Sequence, residues 1–177
     1  SMVVLRPADG AETVAAWKLA VEESRPGLIL SRQNINDLPG GDRYAEAAQL
    51  AKGAYVVVDN ASPDVVMVAN GSEVATLVEG AGILAKEGIK VRIVSAPSEG
   101  LFRDQSLEYQ KKVLPEGIVR FGLTSGLPVT LNTLVGENGT IHGMTHFGYS
   151  APYKVLDEKF GFSGENVAVQ VKELLKR

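Results

Sequence analysis

Val65-Val66-Met67-Val68-Ala69-Asn70-Gly71-Ser72-Glu73-Val74 is an apolar run that breaks at Asn-Gly and resumes as a helix. Five apolar residues bounded by a turn signal read as a fully buried strand. Val74, Leu77, Val78, Ala81, Leu84 and Ala85 then recur at helical spacing, predicting a helix over Glu73–Glu87 that Gly88 ends. Lys90 to Val94 alternate towards a second strand, closing at Ser95-Ala96-Pro97. A strand, a helix and a strand in this order make a βαβ unit, the building block of a parallel α/β sheet.

Outward from this unit the alternation continues. Upstream, Tyr55-Val56-Val57-Val58 reads as a strand, separated from Val65 by the turn Asn60-Ala61-Ser62-Pro63-Asp64. Downstream, Gln105 to Leu114 is helix-compatible, Ile118 to Leu123 and Thr140 to Met144 read as strands, and Pro152–Phe160 and Asn166–Lys176 as helices. Ser163 and Glu165 sit where a cap and a first-turn acid belong. Closer to the start, Val3-Val4-Leu5 reads as a strand and Asp9-Gly10-Ala11-Glu12 as a capping box. Val14, Trp17 and Val21 follow at helical spacing, Arg25-Pro26-Gly27 stops the helix, and Leu28-Ile29-Leu30 reads as a strand. That first unit is too small to stand alone. Residues 31–53 form a connector broken at Pro39-Gly40-Gly41-Asp42, with a short helix over Tyr44–Lys52. The expected fold is α/β: a mostly parallel sheet flanked by helices, preceded by a small βαβ remnant of an upstream domain.

Composition narrows the function classes. The chain has 177 residues, 45% hydrophobic and 22% charged, which suits a globular chain of one domain, or of one domain with an extra piece. It has no cysteine, so thiol catalysis, disulfides and cysteine-ligated zinc are excluded. A net charge of -3 does not suit a nucleic-acid binder. The longest uncharged stretch, Phe121 to Gly136, is broken by Gly122, Gly126, Pro128 and Asn132, so no membrane span is expected. No stretch reads as a signal peptide, and a cytoplasmic protein is expected. Ser1 ahead of Met2 reads as a cloning scar, and the chain as a fragment that starts inside a strand.

Among candidate chemical groups Arg32 stands out, because it sits in Ser31-Arg32-Gln33-Asn34, directly after the expected strand Leu28-Ile29-Leu30. Ligands of parallel α/β sheets bind outside the carboxyl ends of strands, and an arginine there can grip a phosphate through two parallel N–H bonds. The alternative is a surface arginine ending a strand. Asn70-Gly71-Ser72-Glu73 joins strand to helix and offers free N–H groups to an anion, yet lacks the full glycine fingerprint and the phosphate-binding lysine. Simple capping by Ser72 or Asn70 is the expected reading. His142 and His146 have a spacing that chelates zinc on a helix, but Thr140, Gly143 and Thr145 disfavour a helix there, so a metal site is not expected. Ser150 lacks a paired histidine downstream, which leaves a serine-nucleophile triad unsupported. The Lys111-Lys112 pair, the Lys172–Arg177 tail, Asp64, Glu73, Glu79 and Glu87 read as solvated surface groups.

Several segments together suggest a family. Leu30-Ser31-Arg32-Gln33-Asn34 resembles the Leu-Ser-Arg-Gln-Asn segment of transketolases, and Gly71-Ser72-Glu73-Val74 their strand-to-helix turn. Val94-Ser95-Ala96-Pro97-Ser98 and Val113-Leu114-Pro115 are similar to further landmarks of the family. Gly143-Met144-Thr145-His146-Phe147-Gly148-Tyr149-Ser150-Ala151-Pro152 resembles the motif Gly-Met-Thr-x-Phe-Gly-x-Ser-Ala-Pro. The likeness runs from Met2 to Leu175.

This resemblance implies the C-terminal portion of a transketolase. Residues 1–33 would be the C-terminal remnant of the pyrimidine-binding domain, 34–54 a linker and 55–177 the C-terminal domain. The full-length enzyme would transfer a two-carbon ketol unit between sugar phosphates in the pentose phosphate pathway. It would use thiamine diphosphate and a divalent metal such as Mg, and would form a homodimer. Of the family's functional residues only Arg32 carries over, as a ligand of the substrate phosphate. The Gly-Asp-Gly motif, the activating glutamate and the substrate histidines are absent from this sequence, so no cofactor or metal is expected in it and the isolated chain is expected to be inactive. The sequence departs from many relatives at Leu123-Thr124-Ser125-Gly126, where they carry Val-Glu-Ala-Gly. Two other readings remain open: a non-catalytic structural, dimerisation or regulatory domain, or part of another thiamine-diphosphate enzyme, such as a deoxyxylulose phosphate synthase or a ketoacid dehydrogenase subunit. The segments Ser31–Asn34 and Met144–Pro152 argue against the last.

Overall fold

The computed structural model describes residues 2–23 and 25–177. Its first unit is β1 (Val3–Leu5), α1 (Gly10–Glu22) and β2 (Pro26–Leu28), with β1 and β2 paired in parallel. A connector follows, carrying α2 (Arg43–Ala47) and a 3-10 turn (Ala48–Lys52). Next come β3 (Tyr55–Val58), β4 (Val65–Ala69), α3 (Glu73–Lys86) and β5 (Val91–Ser95). The chain continues through α4 (Glu99–Arg103), α5 (Leu107–Val113), β6 (Arg120–Thr124) and α6 (Asn132–Val135). It ends with β7 (Thr140–Gly143), α7 (Tyr153–Phe160) and α8 (Gly164–Leu174).

The large sheet has the order β3-β5-β4-β6-β7. All its pairings are parallel except β3 with β5, where a bulge between Val56 and Val58 shifts the register. Every residue of β4 is buried, as a strand covered on both faces requires. Its side chains alternate between two cores. Val65, Met67 and Ala69 join Val74, Leu77 and Leu84 of α3 and Val167, Val171 and Leu174 of α8. Val66 and Val68 join Phe102, Val113, Leu131, Leu134 and Val135 on the opposite face. The expected α/β sheet flanked by helices is therefore the observed one, and α3 packs on it through the expected stripe, except that Ala85 is exposed.

Helix α3 crosses α8 closely. A methyl group on Gly80 would lie 2.7 Å from Val167 Cγ1, and one on Gly164 would lie 2.8 Å from Glu79 Cβ. Two glycines thus set how near the helix backbones come.

Three local expectations are corrected. Helix α1 buries Ala11, Glu12, Ala16 and Ala20, and leaves Val14, Trp17 and Val21 41%, 54% and 81% exposed. Its alanine face lets it lie close to β1 and Leu50, which a face of larger side chains would prevent. Strand β2 covers Pro26–Leu28, not Leu28–Leu30. Its partner β1 has only three residues, and after Ile29 N–H donates to Leu5 O (2.9 Å) the ladder has no further partner, because Pro7 has no N–H to offer. Ile29 and Leu30 are consequently half exposed. Last, β6 ends at Thr124, and α4, α6 and the 3-10 turn Pro128–Leu131 are elements the periodicity did not mark.

Candidate functional site

The chain moves from β4 to β5 on one side and then crosses to β6 on the other, so the switch point of this sheet lies between the carboxyl ends of β4 and β6. Open α/β sheets hold ligands at that point. Here Arg6, just past the end of β1, occupies it. Arg6 N–H donates to Pro97 O (2.9 Å), and Arg6 O accepts from Gly71 N–H (3.1 Å). Its guanidinium donates Nη1 to Asn70 Oδ1 and Nη2 to Ser125 Oγ, both at 2.7 Å, and pairs with Glu73 Oε2 at 2.7 Å. Gly71 holds φ +61°, and a Cβ there would lie 2.8 Å from Arg6 Nε. Its glycine is required both by the turn and by the guanidinium packed on it.

This corrects the expected role of the turn. Ser72 makes no capping bond. Its Oγ donates to Glu73 Oε1 (2.7 Å), and the Asn70 carbonyl oxygen is spent on Arg6. Glu73 is not a solvated surface group but is buried, held by Arg6 and by Ser125 N–H. Beside Arg6 opens a cleft of about 780 Å³, walled by Met2, Val4 and Ile29 on one side and by Ser98, Arg103 and Thr130 on the other.

A second polar cluster joins α1, the connector and β3. Asp9 caps α1 through Oδ1, which accepts from Glu12 N–H at 2.7 Å. Asp9 Oδ2 accepts from Leu38 N–H (3.1 Å), Arg43 Nε (3.0 Å) and Arg43 Nη2 (2.9 Å). Glu12 does not close the capping box onto Asp9. Its Oε2 accepts from Ala8 N–H (2.8 Å) and its Oε1 from the Tyr55 hydroxyl (2.7 Å), which itself accepts from Arg43 Nη2 (3.0 Å). Burial raises the Glu12 carboxyl above its ordinary range, against the lowering effect of the Ser95 and Tyr55 hydroxyls and Ala8 N–H. The Ser95 hydroxyl lies close enough to Glu12 to exert that effect, although it is buried without a well-formed hydrogen bond. Burial and the Glu12 charge push the Tyr55 hydroxyl upward. Burial works against the Arg43 charge, but Tyr55 and Asp9 outweigh it and strengthen its hold on the proton.

Arg32 is exposed, on the connector that follows β2. Because β2 ends at Leu28 and not at Leu30, Arg32 lies four residues beyond the strand and not two, and it does not line the cleft beside Arg6. The connector that carries it is tied at Ile29 to Leu5 O and at Leu38 to Asp9. His142 Nε2 lies 2.8 Å from Phe160 O, and His146 Nδ1 2.8 Å from Phe147 O, so each ring has its own backbone partner. Ser150 is exposed. Lys111 pairs with Glu116 (3.1 Å) and Lys172 with Glu87 (2.8 Å) at the surface, while Asp64 Oδ2 accepts from Lys90 N–H at 2.7 Å. Sequence reasoning missed Arg6, Arg43 and Tyr55 as polar anchors. The only local signal was the capping pattern at Asp9 and Glu12.

The architecture defines a class: a doubly wound α/β domain with a strand–helix–strand unit plugged into its switch point by an arginine. The family model described as the transketolase-like C-terminal domain matches residues 53–163. Transketolase 2 of Vibrio parahaemolyticus is 43% identical over 180 residues, 99% of this chain and 27% of that protein. Transketolase from Leishmania mexicana superposes with a TM-score of 0.90 at 36% identity, over 99% of this chain and 25% of that one. A Pichia stipitis transketolase solved in complex with sedoheptulose-7-phosphate gives 0.89 at 32% identity, again over 99% and 25%. This chain belongs to the transketolase family. It spans about a quarter of the length of the relatives it matches.

Transketolase relatives imply thiamine diphosphate and a metal in the full-length enzyme. The residues present do not fit either group. Among the described residues no three His, Asp or Glu side chains converge to hold a metal ion. The one strand-to-helix turn at the switch point is filled by the Arg6 guanidinium and faced by the Glu73 carboxylate, which would repel a diphosphate.

Proposed function

We propose that this chain is the C-terminal portion of a transketolase, and that the full-length enzyme transfers a two-carbon ketol unit between sugar phosphates. The observation that carries this reading is the match to transketolases across 99% of the chain. In it, residues 1–33 close the pyrimidine-binding domain, 34–54 are the linker and 55–177 form the C-terminal domain. The enzyme works as a homodimer in the cytoplasm. The isolated chain is inactive, because the thiamine diphosphate that carries the carbanion chemistry must be held by residues outside it.

Arg32 is the substrate-phosphate ligand of this chain. Its exposure on a tied connector supports that role, since the guanidinium is free to meet a ligand while its backbone is held at both ends. A guanidinium gives a phosphate two charge-assisted hydrogen bonds, worth about 1.5–3 kcal/mol. In the full-length enzyme Arg32→Ala is therefore expected to lower kcat/KM for a phosphorylated substrate on the order of 10- to 100-fold, chiefly through KM. An unphosphorylated substrate should be affected far less. Equal damage to both substrates would make Arg32 structural, and damage to neither would remove it from the site.

A second reading, a structural or assembly role, is favoured by one observation: Val14, Trp17 and Val21 form an exposed apolar face on α1. The two roles are compatible within one enzyme. Sedimentation of the isolated chain tests the second, which predicts self-association that Trp17→Glu abolishes.

A further inference from the structure

We propose that Asp9 is a positioning residue for Arg32, holding the phosphate-binding connector in its working shape. This rests on the phosphate-ligand reading of Arg32 given above. The connector leaves the small sheet where Ile29 N–H donates to Leu5 O at 2.9 Å, and it returns where Leu38 N–H donates to Asp9 Oδ2 at 3.1 Å. Leu5 ends β1 and Asp9 caps α1, so both ties are made by the short segment Leu5–Asp9. Arg32 lies in the loop they close.

The two oxygens of Asp9 have separate tasks. Oδ1 accepts from Glu12 N–H at 2.7 Å and starts the helix. Oδ2 gathers Leu38 N–H, Arg43 Nε and Arg43 Nη2. The carboxylate is fully buried, and its ion pair with Arg43 at 2.9 Å reaches the start of α2, beyond the loop. A helix cap alone does not need this. Asparagine caps a helix about as well as aspartate, and its amide oxygen would serve at Oδ1. The amide would then place an NH2 group where Oδ2 stands, facing three donors. Asp9 is thus required as an anion for the connector, not for the helix.

The division of labour makes Asp9→Asn a selective variant. It keeps shape and cap and removes only the connector tie. Arg43 retains Glu46 and Tyr55 as partners, so the variant does not leave a buried charge alone. Arg32 would then have to be ordered by the substrate it binds, and that cost falls on phosphorylated substrates alone.

The test uses the full-length enzyme and steady-state kinetics with a phosphorylated and an unphosphorylated donor. For Asp9→Asn we expect KM for the phosphorylated donor to rise on the order of 3- to 10-fold, with kcat and the unphosphorylated donor little changed. Because Asp9 acts through Arg32, the double variant with Arg32→Ala should be no more phosphate-selective than Arg32→Ala alone. Arg43→Lys keeps the charge but loses the fork. It should reproduce the selective KM rise and carries the test if Asp9→Asn does not fold. Equal loss on both donors, or selectivity that multiplies in the double variant, overturns the positioning role. So does an unchanged KM in Asp9→Asn while Arg32→Ala remains phosphate-selective. If Arg32→Ala is itself unselective, it is the phosphate-ligand reading that has failed, and the positioning role falls with it.

Discussion

Arg6 and Glu73 meet at 2.7 Å across the seam between the first strand–helix–strand unit and the large sheet, with side chains 21% and 7% exposed. The pair closes the switch point of the sheet from within. It also ties a residue of β1's exit to the first turn of α3, where a carboxylate already faces the positive end of a helix.

Removing Glu73 should loosen that seam. Arg6 would keep Asn70 and Ser125 but lose its only carboxylate partner among the described residues. We expect Glu73→Ala to cost about 2–3 kcal/mol, between the values for exposed and fully buried pairs. Urea denaturation of the wild type, both single variants and the double variant with Arg6→Ala should return a coupling energy of the same sign. A coupling near zero would show that the pair is incidental.

Glu12 predicts a pH dependence. Its folded pKa is raised from 4.5, so the folded state holds a proton that the unfolded chain has released. The contribution to stability is therefore greatest below pH 4.5 and falls as pH rises through the folded pKa. Other carboxylates act in the same range, so the informative quantity is the difference between the wild type and Glu12→Gln. As pH rises above 4.5 the wild type should lose stability relative to the variant, as read from denaturant midpoints. A flat difference would mean that Glu12 titrates as an ordinary carboxylate.

Two glycines of one helix should respond in opposite directions. Gly82 has open space around it, so Gly82→Ala should stabilise by about 0.5–1 kcal/mol through helix propensity. At Gly80 the added methyl would press on Val167 at 2.7 Å, and overpacking should outweigh propensity by about 1–2 kcal/mol. Thermal unfolding of the two variants side by side checks the sign of each.

Tyr55→Phe removes the hydroxyl that donates to Glu12 and accepts from Arg43. Leaving two buried partners short of one bond each should cost about 1–3 kcal/mol. The stability lost to Glu12 as pH rises should also grow and extend to higher pH, because a donor that favours its charged form is gone. If the total loss is unchanged, the hydroxyl does not tune Glu12.

The sheet and its two helix layers were legible because β4 and α3 carry period and composition in their own residues. Asp9 as the cap of α1 was legible for the same reason. Which face of α1 is buried was not. Both the Val14–Trp17–Val21 stripe and the Ala16–Ala20 stripe have helical spacing, and the choice is made by neighbours distant in sequence. The extent of β2 was hidden likewise, since it depends on how few residues β1 offers. Arg6 finds Asn70 and Ser125 at separations of 64 and 119 residues, which no local pattern encodes. Arg32 was legible only as a residue type in a familiar segment. The tie that holds its loop runs through Asp9, whose motif announced a cap and not a clamp.

Helix α1 turns its alanines inward and the chain's single tryptophan outward, with Trp17 54% exposed. That arrangement makes the molecule its own optical reporter. Indole fluorescence from a freely dissolved chain should peak towards the red and be readily quenched by acrylamide. Any surface that covers α1 will move the emission to the blue and shield it. Because the signal comes from one residue on one face, no labelling or deconvolution is needed to see that face become covered.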